Sequence, residues 1–188
     1  MDAARTWTAL LNYGLFQAGW CICVLGAAAG QPWPATAAGL VLVLAHLALV
    51  RDVLRETLLL LTSLLLGLLV DGLHIFTGVL VFPVGSIHPG LPPPWILVLW
   101  LQFAMTLHFS LGWLGGRYGL GALLGSVSGA LAYWGGVRLG AADFGADLAR
   151  CLIQIGLSWA LTLLILLKIS QLTAPTEKGR TYRCFRDR

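Results

Sequence analysis

Six long apolar runs constrain this chain more than any other feature, because about 20 such residues carry a helix across a hydrocarbon core. They occupy 7–29, 35–50, 57–80, 94–115, 118–139 and 148–170. The whole chain agrees with its parts: 58% of the 188 residues are hydrophobic and 11% are charged, and the mean hydropathy is +0.83. That is too apolar for a soluble domain of this size. The expected fold is an all-α, polytopic membrane bundle of six transmembrane helices over residues 1–172, followed by a flexible basic tail at 173–188. The second run is the shortest and can borrow from the Gln31–Pro34 turn. Five spans with one re-entrant piece is the alternative.

Lys and Arg in short loops set orientation. With both termini cytoplasmic, that side carries Arg5, Arg51, Arg55, Arg117, Lys168, Lys178, Arg180, Arg183, Arg186 and Arg188, and the other side carries Arg138 and Arg150. Both ends are therefore placed inside. A cleaved signal peptide is the rival for the first thirty residues, since Ala27-Ala28-Ala29 resembles a cleavage site. Asn12, Tyr13, Gln17 and Trp20 interrupt the apolar core that such a peptide needs. Cys21, Cys23, Cys151 and Cys184 have no disulfide-framework spacing and read as small apolar packers plus one free thiol, with a bridge from Cys21 or Cys23 to Cys151 as the alternative.

The third run contains SLLLGLLVDGLHIFTG at 63–78, an acid and an imidazole inside an oily segment. At about 100° per residue, Ser63, Gly67, Asp71, His74 and Gly78 share a stripe roughly 80° wide. A carboxylate facing lipid costs on the order of 3 kcal/mol, so the stripe is expected to turn inward. Arg51-Asp52 and Arg55-Glu56, just before it, read as a charged turn that sets topology only. His46 and His108 are each read as a lone packing histidine.

Depth at about 1.5 Å per residue brings other polar groups to the level of Asp71. Tyr133, Gln102, Gln154 and Trp20 fall there, with Gln17 one turn deeper, and Tyr13, Gln17 and Trp20, which follow Asn12 and share a face within about 60°, are taken as the polar inward face of the first span. Two accounts fit such a layer. It is either a pocket in which Asp71, His74 and Tyr133 do chemistry and Gln17, Trp20, Gln102, Arg138 and Gln154 hold a substrate, or a network that ties helices together. Arg138 is the expected countercharge for Asp71. Asp71 and His74 lie three apart, the spacing of half a metal site or an acid/base pair, but no second pair at helical spacing completes a shell, and neither metal nor cofactor is expected.

In the fifth run Gly121, Gly125 and Gly129 make a small-residue stripe that admits a close helix or a second copy of the chain. VFPVGSIHPGLPPP, between the third and fourth runs, is too proline-rich for helix and reads as a lid with His88 at its tip or as a rigid joint. The basic tail suits an anionic lipid surface, and nothing in it makes a nucleic-acid site.

NYGLFQAGWCICVLGA at 12–27, PPPWILVLWLQFAMTLHFSLGWL at 92–114 and GSVSGALAYWGGVRLGA at 125–141 resemble a family of small multispanning bacterial inner-membrane proteins whose function is unassigned. The resemblance covers most of the chain apart from its tail. It implies a compact fold in the bacterial inner membrane and a setting beside enzymes resembling cyclopropane-fatty-acid synthases and other lipid modifiers. Three functions follow as expectations: an enzyme or accessory subunit of membrane-lipid (fatty-acyl) modification, with membrane lipids and lipid-modifying enzymes as partners; a proton-coupled carrier working through Asp71; or a scaffold recruiting partner enzymes.

Overall fold

The structure, a computed structural model, describes residues 3–174. The tail expected at 173–188 lies outside the described residues from 175 onward, as does Cys184. Six helices follow one another: α1 (Ala3–Ala28), α2 (Pro32–Leu49), α3 (Val53–Phe76), α4 (Pro94–Leu107), α5 (Tyr118–Arg138) and α6 (Leu148–Leu172). Two short strands, β1 (Leu80–Val81) and β2 (Asp143–Phe144), pair antiparallel with Leu80 opposite Phe144.

The helix limits follow local chemistry. Pro32 opens α2 and Pro94 opens α4, positions where a missing N–H costs nothing. Asp52 caps α3 by accepting from the Arg55 N–H at 3.4 Å, and Asp147 caps α6 by accepting from the Arg150 N–H at 3.0 Å. Gly78 and Gly140, at φ 68° and 87°, end α3 and α5 and turn the chain into the two strands.

The chain is a multi-pass membrane protein: α1, α2, α3, α5 and α6 are long and apolar enough to cross a bilayer. The fourth run departs from the expected full span. Its helix has 14 residues, about 21 Å against a core of about 30 Å, and a 3-10 turn at Gly112–Leu114 follows it. Pro92 to Pro94 delay its start, and the chain unwinds after Leu107. This shortest helix is the most enclosed, packing against α1, α2 and α3 and touching α6, with Trp95, Trp100, Gln102 and Met105 all buried.

The helix ends gather at two poles. At one, β1 meets β2, and Gly85 of the proline-rich connection lies against Pro32. At the other, the Arg55 guanidinium donates to the Ala174 carbonyl at 2.6 Å and the Tyr118 hydroxyl to Gln171 at 2.6 Å. The second pole holds Arg5, Arg51, Arg55, Arg117 and Lys168, and the ribbon pole holds Arg138 and Arg150. His88 is exposed, and its Nδ1 accepts from the Gly90 N–H at 3.1 Å.

The glycine stripe of α5 is filled from within the chain. Gly121 faces Leu167, Gly125 faces the Trp159 carbonyl and Leu163, and Gly129 faces the Trp159 ring, so α6 occupies the groove. Cys21, Cys23 and Cys151 are free, which excludes the alternative bridge among them.

Candidate functional site: two buried carboxylates on one helix

Four members of the expected inward stripe of α3, Ser63, Gly67, Asp71 and His74, are buried, whereas Gly78 lies past the helix end and is exposed, because the chain turns there at positive φ. Ser63 Oγ donates to the Trp100 carbonyl at 2.8 Å, which fixes α3 against α4. Asp71 accepts two hydrogen bonds. The Tyr133 hydroxyl of α5 donates to Oδ1 at 2.5 Å, and the Trp100 indole N–H of α4 donates to Oδ2 at 2.7 Å. An indole N–H only donates, so its side of the carboxyl is fixed as an acceptor.

Aromatic rings close this site. Trp100 stacks on Trp159 of α6 with ring centres 4.7 Å apart and planes 17° from parallel, and Trp159 meets Phe103 edge-on at 5.2 Å. Gly67 and Gly129 make room for the pair: a Cβ on Gly67 would come within 2.5 Å of the Trp100 ring, and one on Gly129 would collide with Trp159. Asp71 is fully buried, and no cavity opens beside it among those described below.

His74 joins a separate chain of bonds. Its Nδ1 lies 3.3 Å from Gln154 Nε2 and its Nε2 lies 3.0 Å from Ser158 Oγ. Gln154 also donates to Thr77 Oγ1 at 2.7 Å, and the Ser158 hydroxyl donates to the Ile155 carbonyl at 2.9 Å. An amide N–H must donate to Nδ1, which leaves Nε2–H to donate to Ser158. His74 thus fits a neutral ring with one tautomer.

The expected layer separates into parts. Asp71 and Tyr133 meet, and Gln154 meets His74. Gln102, two residues past Trp100, points the other way: its amide donates to the Gly39 carbonyl of α2 at 3.1 Å and presses on Gly19 of α1. Gln17 and Tyr13 are exposed and bonded to each other at 2.7 Å, which corrects the expectation that they face inward. Asn12, Gly19 and Cys23 form the buried face of α1 instead, and Trp20 is half-buried near Gly135. Asn12 staples α1 to the far end of α4, donating to the Met105 carbonyl at 3.0 Å and accepting from the Ser110 hydroxyl at 2.7 Å. Arg138 stands exposed at the end of α5, and the place expected for it beside Asp71 is taken by the neutral donors Trp100 and Tyr133.

A second carboxylate, expected in a charged turn that only sets topology, lies in the interior. Glu56 is buried, with His46 Nε2 at 2.8 Å from Oε1 and His108 Nδ1 at 2.7 Å from Oε2. Both histidines are buried, so the two residues taken as lone packers belong to one cluster drawn from α2, α3 and the cap of α4. Its signal was present in the spacing: Glu56 lies seven residues before Ser63, within about 20° of the same helical line. Arg55 pairs with Asp52 at 3.1 Å and leaves Glu56 to the interior. The two histidines reach different oxygens, and among the described residues no three His, Cys, Asp or Glu are set to hold a metal ion.

Two cavities open at the basic pole. An open groove of about 510 Å³ runs between α1 and the turn after α4, walled by Leu10, Tyr13, Leu111 and Trp113 with Arg5 and Ser110 as polar members. A crevice of about 50 Å³ lies beside His108 and Ser170.

No curated protein and no solved structure matches the chain. One family model does, over residues 9–165, well beyond half of the sequence, and that stretch spans α2 to α5 and most of α1 and α6. By that match the chain belongs to the family described as "Protein of unknown function (DUF2878)".

Proposed function

We propose that this protein takes part in membrane-lipid (fatty-acyl) modification in the bacterial inner membrane, with both termini cytoplasmic, as an accessory that holds an acyl chain for a partner enzyme. The observation that carries this reading is the apolar groove of about 510 Å³ along α1. That volume suits a small ligand, for which sites run to about 300–1,000 Å³. Its walls are mainly aliphatic and aromatic, the counterpart of a hydrocarbon tail.

An accessory role is favoured over catalysis at Asp71 because that carboxyl has two donors and a lid of indole rings, which leaves no room for a reacting group. The same closure weighs against a carrier that loads protons on Asp71. Asp71, His74, Tyr133 and Gln154 then serve as the framework that holds α3, α4, α5 and α6 together.

The test compares membrane fatty acids from cells with the gene, without it, and with Ala9→Trp, which fills the groove at one of its lining positions. Loss of the gene is expected to change the fatty-acid profile, and Ala9→Trp to reproduce most of the change while the protein still accumulates in the membrane. An unaltered profile in the deletion strain under every growth condition removes the lipid reading. A normal profile with Ala9→Trp removes the groove from it.

A further inference from the structure

The hydrogen-bond partners of His108 specify more protons than a neutral ring carries. Its Nε2 lies 3.0 Å from the Ser170 carbonyl of α6, which only accepts, and 3.3 Å from Thr173 Oγ1. The Thr173 hydroxyl is already directed to the Ile169 carbonyl at 2.9 Å. Nε2 must therefore bear a proton. Its Nδ1 faces Glu56 Oε2 at 2.7 Å, and one of those two atoms must bear another. His46 supplies the third, through Nε2, to Oε1. The His108 and Glu56 pair thus holds one proton between them beyond what a neutral imidazole and a carboxylate carry apart.

We infer that Glu56 and His108, with His46 as second donor, form a proton-binding site that exchanges with water through the crevice at the end of α6. The crevice of about 50 Å³ is lined by His108, Gly112, Gly115, Ser170 and Gln171, and a water needs only about 10–15 Å³ of such space. Exchange moves one proton to that water as hydronium and moves no electrons. The departure has a structural consequence. A neutral His108 that keeps Nδ1–H on Glu56 turns a lone pair toward the Ser170 carbonyl, which repels it, and Thr173, 3.3 Å away, becomes the better partner if its hydroxyl leaves Ile169. The proton therefore decides whether the cap of α4 is tied to Ser170 or to Thr173.

This arrangement also has the members of a carboxylate–imidazole–hydroxyl triad, but its base nitrogen faces a carbonyl and its hydroxyl points elsewhere, so it is set to hold a proton and not to activate Thr173. The titratable groups facing the pair can be named by element. Among the described residues, His46 comes from α2 and Glu56 from α3, while α6 and its cap present the non-titrating Ser170 and Thr173. Arg51 and Asp52 lie in the preceding turn, Arg51 with its Nε buried, and Arg55 is turned to Asp52 and the Ala174 carbonyl.

The test uses the full chain in phospholipid nanodiscs with nitrogen-15 histidine, following the ring-nitrogen shifts from about pH 5 to about pH 9, the range in which an imidazole changes charge. The His108 nitrogens are expected to shift through a single titration while those of His74, held as one tautomer, stay still near neutrality. In Glu56→Gln, which removes the carboxylate that shares the proton, the pH dependence of the His108 nitrogens is expected to change. Flat His108 shifts in the wild-type chain overturn the site, and this arm decides alone if Glu56→Gln fails to fold. An unmoved titration in a folded Glu56→Gln overturns the sharing with Glu56.

Discussion

The two carboxylates of α3 lie on one helical face, fifteen residues and about 22 Å apart, yet their partners are chemically unlike. At the ribbon pole Asp71 is met by an indole and a phenol, groups that neither gain nor lose a proton near neutral pH. At the basic pole Glu56 is met by two imidazoles, the side chains that do. The packing differs in the same sense, since rings stacked 4.7 Å apart seal the first site while a crevice runs beside the second. Burial of an acid is thus no guide to its use: one carboxyl fastens three helices, and the other sits where protons and water come within reach.

The largest effect should come from removing the acid that two bases share. Glu56→Ala leaves His46 and His108 buried without their common acceptor, a loss of about 3–5 kcal/mol for one member of a buried pair. Denaturant titration of the protein in mixed micelles, read by tryptophan fluorescence, measures it. A loss no greater than that of Asp52→Ala, which removes a partly exposed helix cap, would break this contrast. Tyr133→Phe is expected to cost less, about 1.5–3 kcal/mol for one hydrogen bond to a charged acceptor, because Trp100 still holds the other oxygen. The same titration checks it, and a null effect would mean that the Asp71 end is held by ring packing alone.

The bundle was legible because lipid demands long apolar runs, and the inward stripe of α3 because an acid cannot face hydrocarbon. What escaped the sequence depended on tertiary partners. Gln102 and Trp100 lie two apart on a helix packed on most of its faces, so a polar side chain on α4 did not by itself indicate Asp71. Gln17 satisfies its amide locally on Tyr13 one turn away, and a residue so partnered has no need to turn inward. Glu56 was hidden by its neighbours: Asp52 and Arg55 make an exposed pair, and Glu56 read as its continuation although it falls on the buried line. His46 and His108 come from separate helices, and only the fold joins them through that acid.

The smallest expected effects sharpen the difference in packing between the two poles. Gly67→Ala places a methyl within 2.5 Å of a Trp100 ring that can hardly retreat, since Asp71 holds its N–H at 2.7 Å and Trp159 backs its face. Overpacking of this kind costs about 1–3 kcal/mol, against a gain of up to about 1 kcal/mol from replacing a helical glycine, so a net loss is expected. Gly115→Ala beside the crevice meets nothing closer than the Gly112 carbonyl at 3.4 Å and Gln171 Nε2 at 3.7 Å, both ordinary contacts, at a φ of −53° that alanine adopts freely. Its stability should stay within about 0.5 kcal/mol of the parent. If instead Gly67→Ala is tolerated and Gly115→Ala is not, the ribbon pole is the looser of the two, and the contrast between a sealed Asp71 and an open crevice beside His108 would have to be reversed.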